Sequence, residues 1–186
     1  MDLAGSRITR TIDLILDMSE IQTKALNLEK KEISLHDDIL NQLFEEFQAS
    51  AKLKGLELNI EKPDNNVILN ADHYTLTQIF QNLIDNAIKY TTDGTITIRT
   101  KCTDNLVIVE IEDTGIGIEK TYIDKIFDAF SQEEQGYSRK FEGNGLGLAL
   151  VKNYCELNNA IVEVESQKGF GTKFRIIFST STPNFN

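Results

Sequence analysis

A two-layer α/β sandwich is the fold class this sequence predicts: a mixed, mostly antiparallel sheet with helices on one face, preceded by a long helix. Three observations predict it. The runs Thr95–Cys102 and Leu106–Asp113 alternate apolar with polar residues, as strands with one buried and one wet face do. Other stretches carry apolar residues three and four apart, the spacing of amphipathic helices. Asp93-Gly94 supplies a strong turn signal before the first of these strands. Helices that share one face of an alternating sheet make two layers.

Composition narrows the function classes. The 186 residues suffice for one well-buried domain with an appendage. Hydrophobic residues at 40% and charged residues at 26% belong to an ordinary globular protein. No apolar run reaches the roughly 18–20 residues that span a bilayer, and no basic-then-apolar signal segment opens the chain. A formal charge of −10 argues against nucleic acid as a partner, yet leaves room for an anionic nucleotide at a locally positive site. Cys102 and Cys155 sit in apolar patterns without a His or Cys at ligand spacing, and read as reduced core residues of a cytoplasmic protein.

Along the chain, residues 6–29 lack Gly and Pro and place Ile8, Ile12, Ile15, Met18, Ile21, Ala25 and Leu26 on one helical stripe. That stripe is covered either by the following domain or by another helix in a bundle or dimer seam. Residues 32–35 read as a short strand. Residues 37–54 read as a helix with Ile39, Leu40, Leu43, Phe44, Phe47 and Ala51 inward, ended by Gly55. Strands at 56–61 and 67–71 flank the turn residues Pro63-Asp64-Asn65-Asn66. Asp72 then caps a helix that runs to Tyr90. After the two alternating strands come a short helix at 120–126, the aromatic pair Phe127 and Phe130, and a polar segment at 131–144. A helix at 145–157 and strands at 160–166 and 172–179 complete the domain.

Three features carry chemistry. On the helix that Asp72 caps, Gln78, Asn82, Asp85, Asn86 and Lys89 fall in one polar arc at about 100° per residue. A solvated face is one reading, but exposed helix faces favour Glu, Lys and Arg, whereas Asn is a mediocre helix former. Asn at i and i+4 with a Lys one turn on suits neutral oxygen ligands beside a phosphate-binding cation. The second feature is Asp113, placed by alternation on the inner face of its strand directly before Thr-Gly-Ile-Gly. A buried carboxylate needs a partner. It accepts either from turn N–H groups at Gly115 and Gly117 or from a ligand amino group such as that of adenine, where guanine would present a carbonyl oxygen instead. The third is Gly143-Asn144-Gly145-Leu146-Gly147-Leu148 at a helix entry, where free N–H groups and the helix dipole favour an anion. Ser138, Arg139 and Lys140 just before it form either a solvated loop or a basic lid over phosphates. In this order the three features describe a nucleotide site.

Residues 33–179 resemble the catalytic ATP-binding domain of sensor histidine kinases, which has the Bergerat fold shared with gyrase, mismatch-repair and heat-shock-chaperone ATPases. Asn82-Leu-Ile-Asp-Asn86-Ala-Ile-Lys89-Tyr90 resembles the N box, Asp113-Thr-Gly115-Ile-Gly117 the G1 box, Phe127-Asp-Ala-Phe130 the F box, and Gly143-Asn-Gly145-Leu-Gly147-Leu the G2 box. Gly169-Phe-Gly171-Thr172 resembles the last glycine motif. The resemblance implies ATP and Mg²⁺ as ligands. It implies that Asn86 binds Mg²⁺, that Asn82 supports metal and phosphates, that Lys89 contacts phosphate and that Tyr90 flanks the nucleotide. Asp113 would bond the adenine amino group, with Thr172 nearby through water. Gly115, Gly117, Ile118, Phe130, Gly143, Gly145, Leu146, Gly147 and Leu148 would line the nucleotide, and Arg139 or Lys140 would approach the γ-phosphate. Asn144 and Glu142 depart from the Thr and Gly of many members.

Hydrolysing relatives typically carry a Glu general base at the place of Asn82. A neutral amide takes no proton, so the resemblance implies transfer of the γ-phosphoryl to a protein histidine, with Asn82, Lys89 and Arg139 in the catalytic set. His36 and His73 lie outside the family's acceptor context. Residues 1–31 resemble the second helix of the dimerisation bundle, 32–180 the ATP-binding domain and 181–186 a tail. The acceptor His would then lie on an upstream helical hairpin, and the implied partners are that hairpin, a response-regulator receiver domain and a second copy of the full-length protein. Alternatives are a protein-serine kinase of the anti-sigma type and a regulatory nucleotide-binding module.

Overall fold

The computed structural model describes residues 3–23, 25–63, 65–131 and 145–179, with side chains of the first helix described from Thr11 onward. The elements are α1 (Leu3–Gln22), β1 (Lys30–Ser34), α2 (Asn41–Leu53), β2 (Glu57–Glu61), β3 (Ile68–Asp72), α3 (His73–Tyr90), β4 (Thr95–Cys102), β5 (Leu106–Asp113), α4 (Gly147–Leu157), β6 (Ala160–Gln167) and β7 (Gly171–Ser179). The main sheet has the order β2-β4-β5-β7-β6; its β2–β4 pair is parallel and its other pairs are antiparallel. β1 and β3 form a separate antiparallel ribbon.

Alternation places Ile96 and Ile98 of β4, Val107, Val109 and Ile111 of β5, and Phe174, Ile176 and Phe178 of β7 on the inner face, all buried. Leu43 and Phe47 of α2, Ile79, Phe80, Leu83 and Ile84 of α3, and Leu150, Val151 and Tyr154 of α4 are buried with them in one core. Each such side chain contributes about 1.5–3 kcal/mol when fully buried.

The outer face is held by charge. The register sets Glu61 beside Arg99, Arg99 beside Glu110, Glu110 beside Arg175 and Arg175 beside Glu163, one alternating row across all five strands. At its centre Glu110 is 4% exposed. Lys101 Nζ lies 2.7 Å from its Oε2 and Arg175 Nε lies 3.2 Å from its Oε1. Burial pushes the Glu110 carboxyl up, but Lys101 and Arg175 outweigh it and hold the group below its ordinary range.

Several boundaries differ from the sequence expectation. The first helix ends at Gln22 rather than 29. Beyond it the chain must turn so that Glu29 N–H reaches Asp72 Oδ2 at 2.9 Å and β1 pairs with β3. Nor does the helix bury a single stripe. Leu14 and Met18 face the domain, whereas Ile12, Ile15 and Leu16 are at least half exposed. A polar contact reinforces the buried side: Tyr74 Oη donates to both Asp17 carboxylate oxygens at 2.9–3.0 Å, and Asp17 is 8% exposed. The second helix opens with a π-helical segment, Leu35–Leu40, that turns Leu35, His36, Ile39 and Leu40 inward together. His36 Nε2 lies 3.1 Å from Thr100 Oγ1 under the sheet, which makes His36 a core residue. The expected helix at 120–126 is a single 3₁₀ turn, Ile123–Lys125. Cys102 is exposed rather than core: it ends β4 directly before the turn at Thr103, where alternation continues but cover has run out. Cys155 is buried, as expected.

The Glu110 carboxylate is expected to show its contribution through pH. Its lowered pKa means that the stabilisation is present above the unfolded value of 4.5 and lost as pH falls through the folded value. Glu110→Gln is expected to lower unfolding stability by about 1–3 kcal/mol at pH 7, since three cations lose their central acid. In chemical denaturation, the gap to the wild type is expected to close below pH 4.5.

Candidate nucleotide site

α3 is the platform, and both its ends are tied down. At its start, Asp72 Oδ1 accepts from Thr75 N–H at 2.8 Å and from Thr75 Oγ1 at 2.9 Å. Asn158, at the end of α4, accepts from Asp72 N–H at 2.9 Å and donates to Thr75 Oγ1 at 2.8 Å. At its finish, Lys54 Nζ donates to the carbonyls of Ile88, Lys89 and Thr91 at 2.6, 2.8 and 2.9 Å. A cation on the last carbonyls satisfies orphan acceptors and complements the helix dipole. Lys54 and Asn158 escaped the sequence reading because each acts on another element: Lys54 precedes a helix-ending Gly and Asn158 stands in a loop.

The polar arc of α3 divides in two. Asn82 is buried at 3% exposure; its Nδ2 donates to Gln78 O at 2.8 Å, and its Oδ1 lies 3.1 Å from where a Cβ on Gly147 would stand. The residue therefore meets the first turn of α4, whose glycine permits the approach. Asn86, one turn on, is half-buried, and its amide has no hydrogen-bond partner among the described residues. Lys89 Nζ donates to Tyr90 Oη at 3.0 Å and lies 4.6 Å from the Tyr90 ring centroid. Among the described residues no side-chain hydrogen bond caps α4, and the start of a helix favours an anion.

Asp113 ends β5 at 7% exposure. Its Oδ1 accepts Gly115 N–H at 2.8 Å, and the Thr172 backbone N–H also donates to the carboxylate. Burial nonetheless pushes the group up to about 6. The turn-satisfying reading of Asp113 thus holds at Gly115 alone, and the carboxylate keeps acceptor capacity beyond it, since an ionised carboxylate offers about four lone-pair sites. A Cβ on Gly115 would stand 2.5 Å from Tyr90 O, 2.8 Å from Asp113 Oδ1 and 2.9 Å from Thr91 Oγ1, so only glycine fits. Gly117 has φ of 62° and lies against Gln167 O. Ile116 N–H donates to Tyr90 O, Gly169 N–H to Ile116 O, and Ile118 N–H to Ser166 Oγ. Those bonds sew the loop after β5 to the end of α3 and to the β6–β7 turn. Ser166 Oγ lies 2.9 Å from Thr172 Oγ1, an arrangement the sequence did not signal.

Further round, Phe127 packs edge-on against Phe174 at 6.5 Å. Phe130 is 70% exposed with φ of 63°, and its N–H donates to Gly145 O at 2.9 Å. Gly145, with φ of 72°, leads to buried Leu146, to Gly147 and to Leu148 at the start of α4. Arg139, Lys140 and Gly143 lie outside the described residues, as do Glu142 and Asn144. The described parts of the motifs are linked by contacts: the loop after β5 meets the end of α3, and the start of α4 meets Asn82 of α3. An acidic end holds Asp113, Gly115, Gly117 and Thr172; an amide-and-cation end holds Asn86 and Lys89 on α3, beside the contact of Asn82 with Gly147. Among the described residues no three His, Cys, Asp or Glu side chains cluster as a metal site. No helix among them is long and apolar enough to cross a membrane.

Comparison with known proteins agrees with this geometry. Residues 71–182 match the profile of the family described as histidine kinase-, DNA gyrase B-, and HSP90-like ATPase. The autoinducer 2 sensor kinase/phosphatase LuxQ of Vibrio parahaemolyticus is 36% identical over 178 residues, covering 92% of this chain and 21% of that protein. The sensor histidine kinase RcsC of Escherichia coli is 33% identical over 178 residues, 95% of this chain and 18% of that protein. The chain thus spans about a fifth of the length of these relatives. Among solved structures, full-length ShkA in complex with AMPPNP superposes with a TM-score of 0.80 at 26% identity, covering 96% of this chain and 37% of that one. The Acinetobacter baumannii histidine kinase AdeS shares the fold with a TM-score of 0.77 at 21% identity, covering 96% of this chain and 81% of that one. With the profile spanning more than half of its residues, the chain belongs to the histidine kinase-, DNA gyrase B- and HSP90-like ATPase family, as a histidine-kinase ATPase domain.

Proposed function

We propose that this chain holds Mg·ATP between α3 and α4 for a two-component sensor histidine kinase, whose γ-phosphoryl acceptor is a histidine on a helical hairpin outside these residues. The observation that carries the reading is the contact of Asn82 with Gly147: it brings the start of α4 against α3, where the Asn86 amide has no hydrogen-bond partner among the described residues. A lone amide fits a metal that arrives on its phosphates, because Mg²⁺ typically takes one or two protein ligands and fills its shell with phosphate oxygens and water. When bound, Mg²⁺ would neutralise charge on the phosphates.

The remaining roles follow from position. Asn86 would offer its Oδ1 to the metal, and Lys89 would swing from Tyr90 to phosphate. The α4 N–H groups behind Gly145 and Gly147 would face the phosphate oxygens. Asp113 would accept the exocyclic amino proton of adenine beside Gly115, Gly117 and Ile118. Arg139, Lys140 and Gly143 would close over the γ-phosphate. Asn82, as an amide, activates no water, so the γ P–O bond breaks only when an imidazole nitrogen forms its bond to phosphorus. The partners of this reading are the acceptor hairpin, which α1 would join through its exposed Ile12, Ile15 and Leu16, a receiver domain and a second copy. Its setting is the cytoplasm.

Two outcomes are expected from calorimetric titration. Wild-type chain is expected to bind Mg·ATP, and replacing Mg²⁺ with EDTA to weaken binding; in Asn86→Ala the affinity for Mg·ATP is expected to fall at least about tenfold, near 1.4 kcal/mol, with little further loss in EDTA. No binding at millimolar Mg·ATP would sink the proposal. Asp113→Asn is expected to separate stability from recognition. The carboxyl, raised from 3.8 to about 6, favours the folded state fully below pH 3.8 and loses that contribution as pH rises through 6. A shift of that size is about 3 kcal/mol, so the neutral amide is expected to be more stable than the wild type at pH 7.5 and to flatten the pH profile between 4 and 7. The same variant is expected to lose at least about tenfold in ATP affinity and to bind GTP no worse than the wild type, because an amide N–H can face the guanine carbonyl.

A further inference from the structure

Thr91, the first residue past α3, has every polar group engaged but one. Its N–H donates to Ala87 O at 3.1 Å and its carbonyl accepts from Lys54 Nζ at 2.9 Å. Its side chain is fully buried, at 0% exposure, and Oγ1 has no hydrogen-bond partner among the described residues. A buried hydroxyl left without a partner is unfavourable and calls for a reason. Position supplies one. Thr91 Oγ1 and Asp113 Oδ1 lie 2.9 and 2.8 Å from the same point, that of the missing Gly115 Cβ, so the hydroxyl and the carboxylate proposed to read adenine border the same glycine. Tyr90 O, the third oxygen at that point, already accepts from Ile116 N–H.

Counting acceptor sites assigns the hydroxyl its direction. An ionised carboxylate has about four lone-pair sites and no proton to give. The Gly115 N–H takes one on Asp113, and the Thr172 backbone N–H favours the charged form beside it. An adenine amino group would take another. The neighbouring hydroxyl can act toward this carboxylate only as a donor. We propose that Thr91 is a positioning residue for adenine recognition: its hydroxyl donates to the Asp113 carboxylate, directly or through one water, when that carboxylate turns to the exocyclic amino group. Lys54 belongs to the same device, because its grip on the Thr91 carbonyl fixes where the hydroxyl stands. The proposal rests on the nucleotide-binding reading of this site.

The test is titration of the whole chain with Mg·ATP and Mg·GTP, using Thr91→Val, which keeps the shape and removes the hydroxyl, and Thr91→Ser, which restores it. Thr91→Val is expected to weaken ATP binding about 5–20-fold while leaving GTP binding and the thermal midpoint unchanged or the midpoint higher, since one unpaired buried hydroxyl is gone. Thr91→Ser is expected to recover ATP affinity to within about threefold. The pH at which ATP affinity is half lost is expected to move up in Thr91→Val, because Asp113 has lost a donor that favours its ionised form; a purely structural Thr91 would not move it. Thr91→Val that binds Mg·ATP within twofold of the wild type, or that weakens ATP and GTP alike, overturns the proposal alone. Absence of Mg·ATP binding by the wild type overturns the nucleotide reading and this proposal with it. Should Thr91→Val melt early, the pH shift read on Thr91→Ala decides in the same way.

Discussion

The two clamps on α3 are the constraint on which the rest depends. A helix of eighteen residues whose outer arc carries two asparagines and a lysine has only its apolar side to hold it in place. That side fixes depth but tolerates sliding and rotation about the axis. Asp72 and Asn158 at one end and Lys54 at the other remove that freedom, and all three act on backbone groups that a helix terminus leaves unsatisfied. Because Asn158 also ends α4, the same bonds fix the spacing between the two helices. That spacing brings Asn82 Oδ1 up against Gly147.

The sheet supports this arrangement through its two unlike faces. Its inner face is largely apolar, with polar groups at Thr100 of β4, which meets His36, and at Asp113, Ser166 and Thr172 at the end nearest the site. Its outer face is a ladder of opposite charges paired across strands. Such a face needs no further partner, since its central acid already meets three cations. Helices therefore gather on one side alone, and the ends of β5 and β7 with the turn before β7 open beside the end of α3. The one buried carboxylate at that opening pays for its position in stability, as its raised pKa shows.

Much of this was legible in the sequence. Period-two alternation located β4 and β5 with their observed bounds, and an Asx residue before an apolar-periodic run located the cap of α3. Glycines at 115, 117, 145 and 147 were legible as special positions, read there as room for a ligand; the structure shows in addition that protein oxygens or backbone atoms crowd each of them. What stayed hidden was non-local or depended on cover. The split of α1 into a buried and an exposed apolar face depends on how far α4 reaches along it. The exposure of Cys102 depends on where the helices above β4 stop. The π-helical start of α2 arises because four buried residues in six must turn one way, a demand of packing that helix propensity does not reveal. Lys54 and Thr91 act through backbone carbonyls and burial, for which side-chain chemistry in sequence leaves no mark.

The choice of asparagine at position 82 has a physical cause beyond the lack of a general base. Its Nδ2 donates to the carbonyl of Gln78 while its Oδ1 faces the first turn of α4. One side chain thus supplies a donor to its own helix and an acceptor toward the N–H end of the next. A glutamate at this depth could satisfy the second demand but not the first: it has no proton to give Gln78 O, and its charge would lie in a pocket of 3% exposure. The amide at position 82 is thus fitted to the way the two helices are joined.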